Sequence, residues 1–123
     1  MIRTRLCDLL GIEVPILQAP IGGVSNPRLA AAVSNAGGLG MIAMTWSSQQ
    51  DTHRVLAETL TLTEKPFAVN YVLEWDVSDK VDICLEHDVK LFSFFWGDPV
   101  TYTKRIHDAG ASSCTPWGAP RRP

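Results

Sequence analysis

A chain of 123 residues has room for one domain with a buried core. Its 46% apolar content is that of a soluble globular protein, and a formal net charge of −2 provides no basic face for nucleic acid. Without a run of about 18 apolar residues no spanning helix is expected, so neither nucleic acid nor membrane is an expected partner. Cys7, Cys84 and Cys114 lie far apart with no Cys-x-x-Cys, which indicates neither a disulfide framework nor a zinc site. The first ten residues lack the apolar stretch and cleavage site of a secretion signal, so reduced thiols in a cytoplasmic protein are the expectation.

Thr4–Leu10 reads as a short helix stopped by Gly11. Pro15–Gln18 is then a short apolar strand, and Pro20 with Gly22-Gly23 ends it in a tight turn. Asn26 is placed to cap a helix and Pro27 to occupy its first position, where a missing N–H costs nothing. Leu29, Ala30 and Val33 are its expected inward stripe, and Gly37-Gly38 its end. The same pattern then repeats. Strands are expected at Leu39–Met44, Phe67–Leu73 and Lys90–Phe95. The helices between and after them are expected to bury Val55, Leu56 and Leu60, then Val77, Val81, Cys84 and Leu85, then Tyr102, Ile106 and Ala109. Asp76 or Ser78 and Asp98 are the candidate caps.

Four βα units in a row, with solidly apolar strands, describe an α/β fold with parallel strands joined by right-handed crossovers. Periodicity leaves two architectures open, a doubly wound sheet and a (β/α) barrel. In both, ligands bind outside the carboxyl ends of the strands. Ala19–Gly23 follows the first strand and is therefore where a cofactor is expected.

Other residues could carry chemistry. Trp46, Trp75 and Trp96 each lie just past a strand. They read either as an aromatic rim over a flat cofactor or as plain loop packing. Asn70 interrupts the apolar run Phe-Ala-Val-Asn-Tyr, and a buried amide there needs hydrogen-bond partners, of which a ligand is one. His53, His87 and His107 fall on helices and read as surface residues with no pair at metal spacing. Gly37-Gly38-Leu39-Gly40 precedes a strand rather than a helix, which argues against a dinucleotide phosphate loop.

The segments Gly11–Gly23 and Leu29–Gly40, followed by Pro66-Phe-Ala-Val-Asn70 and Phe94-Phe-Trp-Gly-Asp-Pro99, resemble the amino-terminal signature of the nitronate monooxygenases, also called 2-nitropropane dioxygenases. They are similar, too, to flavin-dependent enoyl-acyl-carrier-protein reductases. The resemblance covers about residues 4–110 and implies a partial TIM barrel, its first four βα units, with FMN at the C-terminal face. It implies that Ala19, Pro20, Ile21 and Gly22 pass close to the flavin through backbone atoms, Ile21 standing where many relatives have methionine. It implies that Asn70 is a flavin or active-site contact. The implied reaction oxidises an alkyl nitronate with dioxygen to a carbonyl compound and nitrite, the flavin doing the redox chemistry.

The catalytic histidine of many members lies in a later glycine-rich segment, and the phosphate-gripping loops of TIM barrels tend to follow strands seven and eight. Neither is matched here, so the chain alone is expected neither to hold FMN tightly nor to turn over nitronate. Residues 111–123 carry three prolines and no apolar run, so they read as an irregular, disordered tail rather than a fifth strand. One GC-rich choice of codons for this tail, read two bases later, spells Val-Val-Leu-His-Thr-Val-Gly-Ser-Ala-Glu-Glu-Ala. That is the strand, turn and helix start the pattern calls for. A frameshift near residue 111 is the resulting expectation, with the nonfunctional product of a disrupted gene as an alternative to an enzyme.

Overall fold

The computed structural model describes residues 2–114. Five helices, α1 (Arg5–Leu10), α2 (Pro27–Asn35), α3 (Gln49–Leu62), α4 (Ser78–Glu86) and α5 (Val100–Asp108), accompany four strands, β1 (Gly40–Ala43), β2 (Phe67–Val72), β3 (Leu91–Phe95) and β4 (Ser112–Cys114). All neighbouring strands are parallel and stand in chain order, β1-β2-β3-β4.

The choice between the two architectures is settled by where the helices lie. Ile42, Met44, Phe67, Val69, Tyr71, Phe92 and Phe94 alternate along β1–β3 and share one core with Ala30, Leu56, Val81, Cys84, Tyr102 and Ile106 of α2–α5. Every crossover helix therefore packs on the same face. A doubly wound sheet would cover both faces and reverse its strand order; sequential strands with one-sided helices are a segment of a (β/α) barrel. The opposite, concave face carries two side-chain rows, Met41–Ala68–Leu91–Ser112 and Ala43–Asn70–Ser93–Cys114, set by the strand register. Below it Cys7 and Ile12, from α1 and the turn after it, close a small second core with Leu39, Met41 and Ala68 at the amino ends of the strands.

Two strand expectations need correction. Pro15–Gln18 forms no strand of its own, only a single parallel bridge of Leu17 to Leu39. Prolines at 15 and 20 bracket it and withhold N–H groups. The Gln18 carboxamide then takes the positions a continuing strand would use, accepting from Met41 N–H at 3.4 Å and donating to Met41 C=O at 3.0 Å. Conversely, Ser112–Cys114, expected to be irregular, pairs with Leu91–Ser93 as β4. Its burial differs from that of the other strands: Ser112 and Cys114 are exposed and Ser113 half-buried. The rest of the expected tail lies outside the described residues.

Asn26 caps α2 as expected, its Oδ1 accepting from Leu29 N–H at 3.0 Å, and Ser48 caps α3, its Oγ accepting from Asp51 N–H at 3.0 Å. The other two cap expectations are corrected: Val77 and Pro99 are the N-cap residues of α4 and α5 and offer no side-chain cap, while Asp76 Oδ1 and Asp98 Oδ1, one residue earlier, accept from Ser78 N–H and Val100 N–H, each at 2.9 Å. Some buried stripes are rotated from expectation. In α2 the buried face is Ala30, Ala31 and Ser34, while Leu29 is exposed. Ser34 Oγ earns its place by donating to Pro66 C=O at 2.8 Å and accepting from Gly40 N–H at 3.1 Å. In α3, Thr52 and Thr59 are buried beside Leu56 and return their hydroxyl protons to helix carbonyls, leaving Leu60 outside. Ala109 is exposed because α5 ends before it.

Candidate functional site

The concave face narrows to a hollow of about 520 Å³ at the carboxyl ends of the strands. Its walls are apolar, from Leu17, Met41, Val72 and Phe95, and its polar groups come from Gln18, Asn70, Ser93 and Cys114. A second hollow, about 560 Å³, lies at the other end of the strands beside Gly11, Pro66, Lys90 and Gly110. Chemistry in barrels sits at the carboxyl face, and the amino face serves stability, so the first hollow is the candidate site.

Asn70 is buried on β2 in the row that faces the hollow. Its Nδ2 donates to Ser93 C=O at 3.2 Å and to Ser93 Oγ at 3.1 Å. Both amide protons are therefore committed to β3, which fixes the carboxamide and leaves Oδ1 accepting nothing from the described residues. No fully buried side-chain N or O atom among them lacks a partner, so this oxygen is reachable from the hollow.

Ala19–Gly23 forms the rim on one side, with Ala19 and Pro20 lining the hollow itself. Its shape is held by Ser25, which the sequence reading passed over. Ser25 Oγ accepts from Ile21 N–H at 2.7 Å and from Gln18 Nε2 at 3.3 Å, and Ser25 N–H returns to Ile21 C=O at 2.8 Å. Gly23 takes φ +77°, a conformation that favours glycine. Gly22 packs on the Trp46 ring so closely that a Cβ there would sit 3.2 Å from it. The N–H groups of Gly22 and Gly23 donate to nothing among the described residues, and both residues are exposed. Ile21 is exposed, so its side chain adds apolar surface to the rim.

The three tryptophans stand on the same rim but none lines the hollow. Trp46 and Trp75 meet edge-on with centroids 5.8 Å apart, and Trp96, at φ +55°, stacks on Phe95 at 5.0 Å. Lys80 Nζ donates to the C=O of Thr45, the residue before Trp46, and burial of its ammonium pulls its pKa down.

Among the described residues no histidine, carboxylate or lysine lines the hollow. Among the described residues Cys114 is the one titratable group lining it, and desolvation of the sulfur raises its pKa even though the residue as a whole is exposed. The arrangement can bind a flat, partly apolar molecule and hydrogen-bond its edge. Among the described residues it supplies no histidine or carboxylate to act as a base.

Of the site residues expected from sequence, Ala19, Pro20 and Asn70 line one hollow, while Ile21 and Gly22 continue its rim. Gln18, Ser25 and Ser93 were missed. Gln18 and Ser93 carried the signal that marked Asn70, a polar residue inside an apolar run. The histidine expectation is corrected in one respect. His53 Nδ1 and His87 Nε2 lie 2.9 Å apart across α3 and the end of α4, a pairing that 34 residues of separation concealed.

The comparisons agree with this geometry. A nitronate monooxygenase from Pseudomonas aeruginosa is 58% identical over 66 residues, 54% of this chain and 19% of that protein. A 5-hydroxy-7a-methyl-1-oxo-octahydro-1H-indene-4-carboxyl-CoA dehydrogenase from Mycobacterium tuberculosis is 33% identical over 111 residues, 89% of this chain and 31% of that protein. The solved structure of FabK from Thermotoga maritima superposes with a TM-score of 0.89 at 37% identity, covering 94% of this chain and 37% of that one. The chain thus spans less than half the length of these relatives. The family model described as nitronate monooxygenase matches residues 3–114, and the chain belongs to that family.

Proposed function

We propose that these residues form the flavin-facing wall of an FMN-dependent nitronate monooxygenase, an enzyme that oxidises alkyl nitronates with dioxygen to a carbonyl compound and nitrite. The observation that carries this reading is the hollow at the carboxyl ends of the strands, with a fixed Asn70 carboxamide on one side and the Ala19–Gly23 turn on the other. The fit to FMN is favourable for its ring. Met41, Val72 and Phe95 offer apolar contact to a flat ring. Asn70 Oδ1 would accept from a ring N–H, and the N–H groups of Gly22 and Gly23, without partners among the described residues, would be further donors from the rim. Bound FMN would supply the electron transfer. This chain's residues orient its ring and keep water from one face of it.

Among the described residues the hollow carries no base, and no cationic group for a phosphate lines it. The chain by itself is therefore expected to bind FMN weakly and to release no nitrite from propyl 2-nitronate. Purification followed by flavin absorbance and a nitrite assay checks this. Yellow protein with steady nitrite release would contradict it.

A second reading, a flavin enzyme acting on acyl thioesters, is favoured by the 33% identity to a relative whose name specifies a CoA ester. Nitrite release against NAD(P)H consumption with a crotonyl thioester separates the two. The polar, exposed β4, set in register beside an apolar β3, supports a change of reading frame near residue 111. Sequencing the coding DNA from the Ala111 codon tests it. An adjacent frame encoding Val-Val-Leu-His-Thr-Val is the expected result, and its absence would sink the idea.

A further inference from the structure

We propose that Gln18 and Ser25 are positioning residues for the ligand of the hollow: together they lock the Ala19–Gly23 turn to β1 in the shape that meets a flavin ring. The inference rests on the flavin reading above and adds to it two residues whose own polar groups are committed to the protein.

The turn has little of its own to hold it. Pro20 has no N–H, Gly22 and Gly23 have no side chains to pack, and Ala19 and residues 21–24 are exposed. Ser25, by contrast, is buried. Its Oγ accepts from Ile21 N–H at 2.7 Å and from Gln18 Nε2 at 3.3 Å, and it donates to Ala19 C=O at 3.5 Å. It thus accepts twice and donates once, the full capacity of a hydroxyl. Ser25 N–H donates back to Ile21 C=O at 2.8 Å, so side chain and backbone close the turn together.

Gln18 carries this arrangement to the sheet. Its Nε2 donates to Met41 C=O at 3.0 Å as well as to Ser25 Oγ, and its Oε1 accepts from Met41 N–H at 3.4 Å. β1 therefore holds the carboxamide, the carboxamide holds the hydroxyl, and the hydroxyl holds Ile21 N–H. Asn70, the other wall of the hollow, stands beside Ala43 of the same β1 in the strand register. One sheet thus fixes both walls. A ligand that touches both needs their separation set before it arrives. A turn that holds the right shape only part of the time lowers the apparent affinity by that fraction.

The test compares the full chain with Ser25→Ala, which removes the hydroxyl, and with Gln18→Met, which keeps the length, adds no charge and loses the carboxamide. Ser34→Ala is the control, because Ser34 is another buried hydroxyl that ties α2 to the sheet away from the turn. FMN titration of the 15N-labelled chains gives the dissociation constants, and amide hydrogen exchange without FMN gives the protection of Ile21. Ser25→Ala and Gln18→Met should each weaken FMN binding by roughly twofold to tenfold, the worth of one hydrogen bond. Ile21 exchange should quicken in both. The double variant should bind no more weakly than Ser25→Ala, since both changes break one chain of bonds. Ser34→Ala should melt earlier yet bind FMN as the parent does. Unchanged Ile21 exchange and FMN affinity in Ser25→Ala, additive losses in the double variant, or an equal loss in Ser34→Ala would overturn the proposal. A parent with no FMN-induced shift at Gly22, Gly23 or Asn70 would instead contradict the flavin reading, and the ligand part of this proposal with it.

Discussion

At the level of single residues, polar groups inside apolar strands decide what this molecule can do. Gln18, Asn70 and Ser93 all face the hollow, and each was visible in the sequence as a break in an apolar run. What the sequence hid was which of them touch. The Asn70–Ser93 pairing depends on strand register, a long-range property that no local pattern reports. On the other face, Tyr71 and Cys84 make a buried pair, Oη to Sγ 3.1 Å. Burial pushes the Cys84 thiol up to about 12 from 9.0, and burial also raises Tyr71. Both groups thus stay protonated in the folded chain while the unfolded chain releases its protons. Stability should be unaffected below about pH 9 and should fall between about pH 9 and 12, by about 1.4 kcal/mol per pH unit for each group that titrates only when unfolded. Urea denaturation at pH 8 and pH 10.5 measures this, and Cys84→Ala should flatten the loss. A pH-independent midpoint would show that the pair is not sequestered.

At the level of elements, capping and packing were legible to different degrees. Asn26 and Ser48 cap as their residue types suggest, because capping is local chemistry, whereas Asp76 and Asp98 stand one residue ahead of the N-caps Val77 and Pro99. Inward faces were harder. Buried Ser34, Thr52 and Thr59 satisfy their hydroxyls against nearby backbone, so hydrophobicity alone misplaced the stripes of α2 and α3. The slim α2 matters most for the site, since it holds β1. Gly40 lies against the Ala30 carbonyl, where a Cβ would come within 1.9 Å of the oxygen. Gly40→Ala must therefore push α2 away from β1 or break the Ser34–Gly40 bond. A loss of about 3 kcal/mol or more is expected, at the upper end of overpacking costs. Gly23→Ala, with open space around it, should cost only the strain of its positive φ, on the order of 1 kcal/mol. Equal stability of the Gly40 variant and the parent in denaturant would refute this account of the α2–β1 contact.

At the level of the whole molecule, the described residues cover one face of the sheet and not the other. Among them the helix side buries seventeen residues in one core, whereas the concave side has five, gathered at the amino ends of the strands. Leu17, Ile21, Trp46, Trp75 and Trp96 are exposed around the candidate site. β4 has one edge without a partner among the described residues, and β1 is covered on its outer edge by little more than the Leu17 bridge and the Gln18 side chain. Open parallel edges beside exposed apolar surface favour association. The chain should therefore bind the dye ANS while folded and elute at sizes that grow with concentration. A concentration-independent monomer that leaves the dye dark would contradict this. The barrel architecture itself was only half legible in the sequence. Repeated βα units were plain, but the side on which the helices pack is a property of the assembled sheet.

The central claim is that the hollow bounded by Ala19–Gly23 and Asn70 receives a flavin ring. Its most direct test is an amide NMR spectrum of the 15N-labelled chain during titration with FMN. The account predicts shifts at the backbone amides of Gly22 and Gly23 and at the Asn70 side-chain amide, with Gly11 and Gly110 unmoved. Shifts confined to Gly11 and Gly110 at the opposite end, or none at saturating FMN, would contradict it.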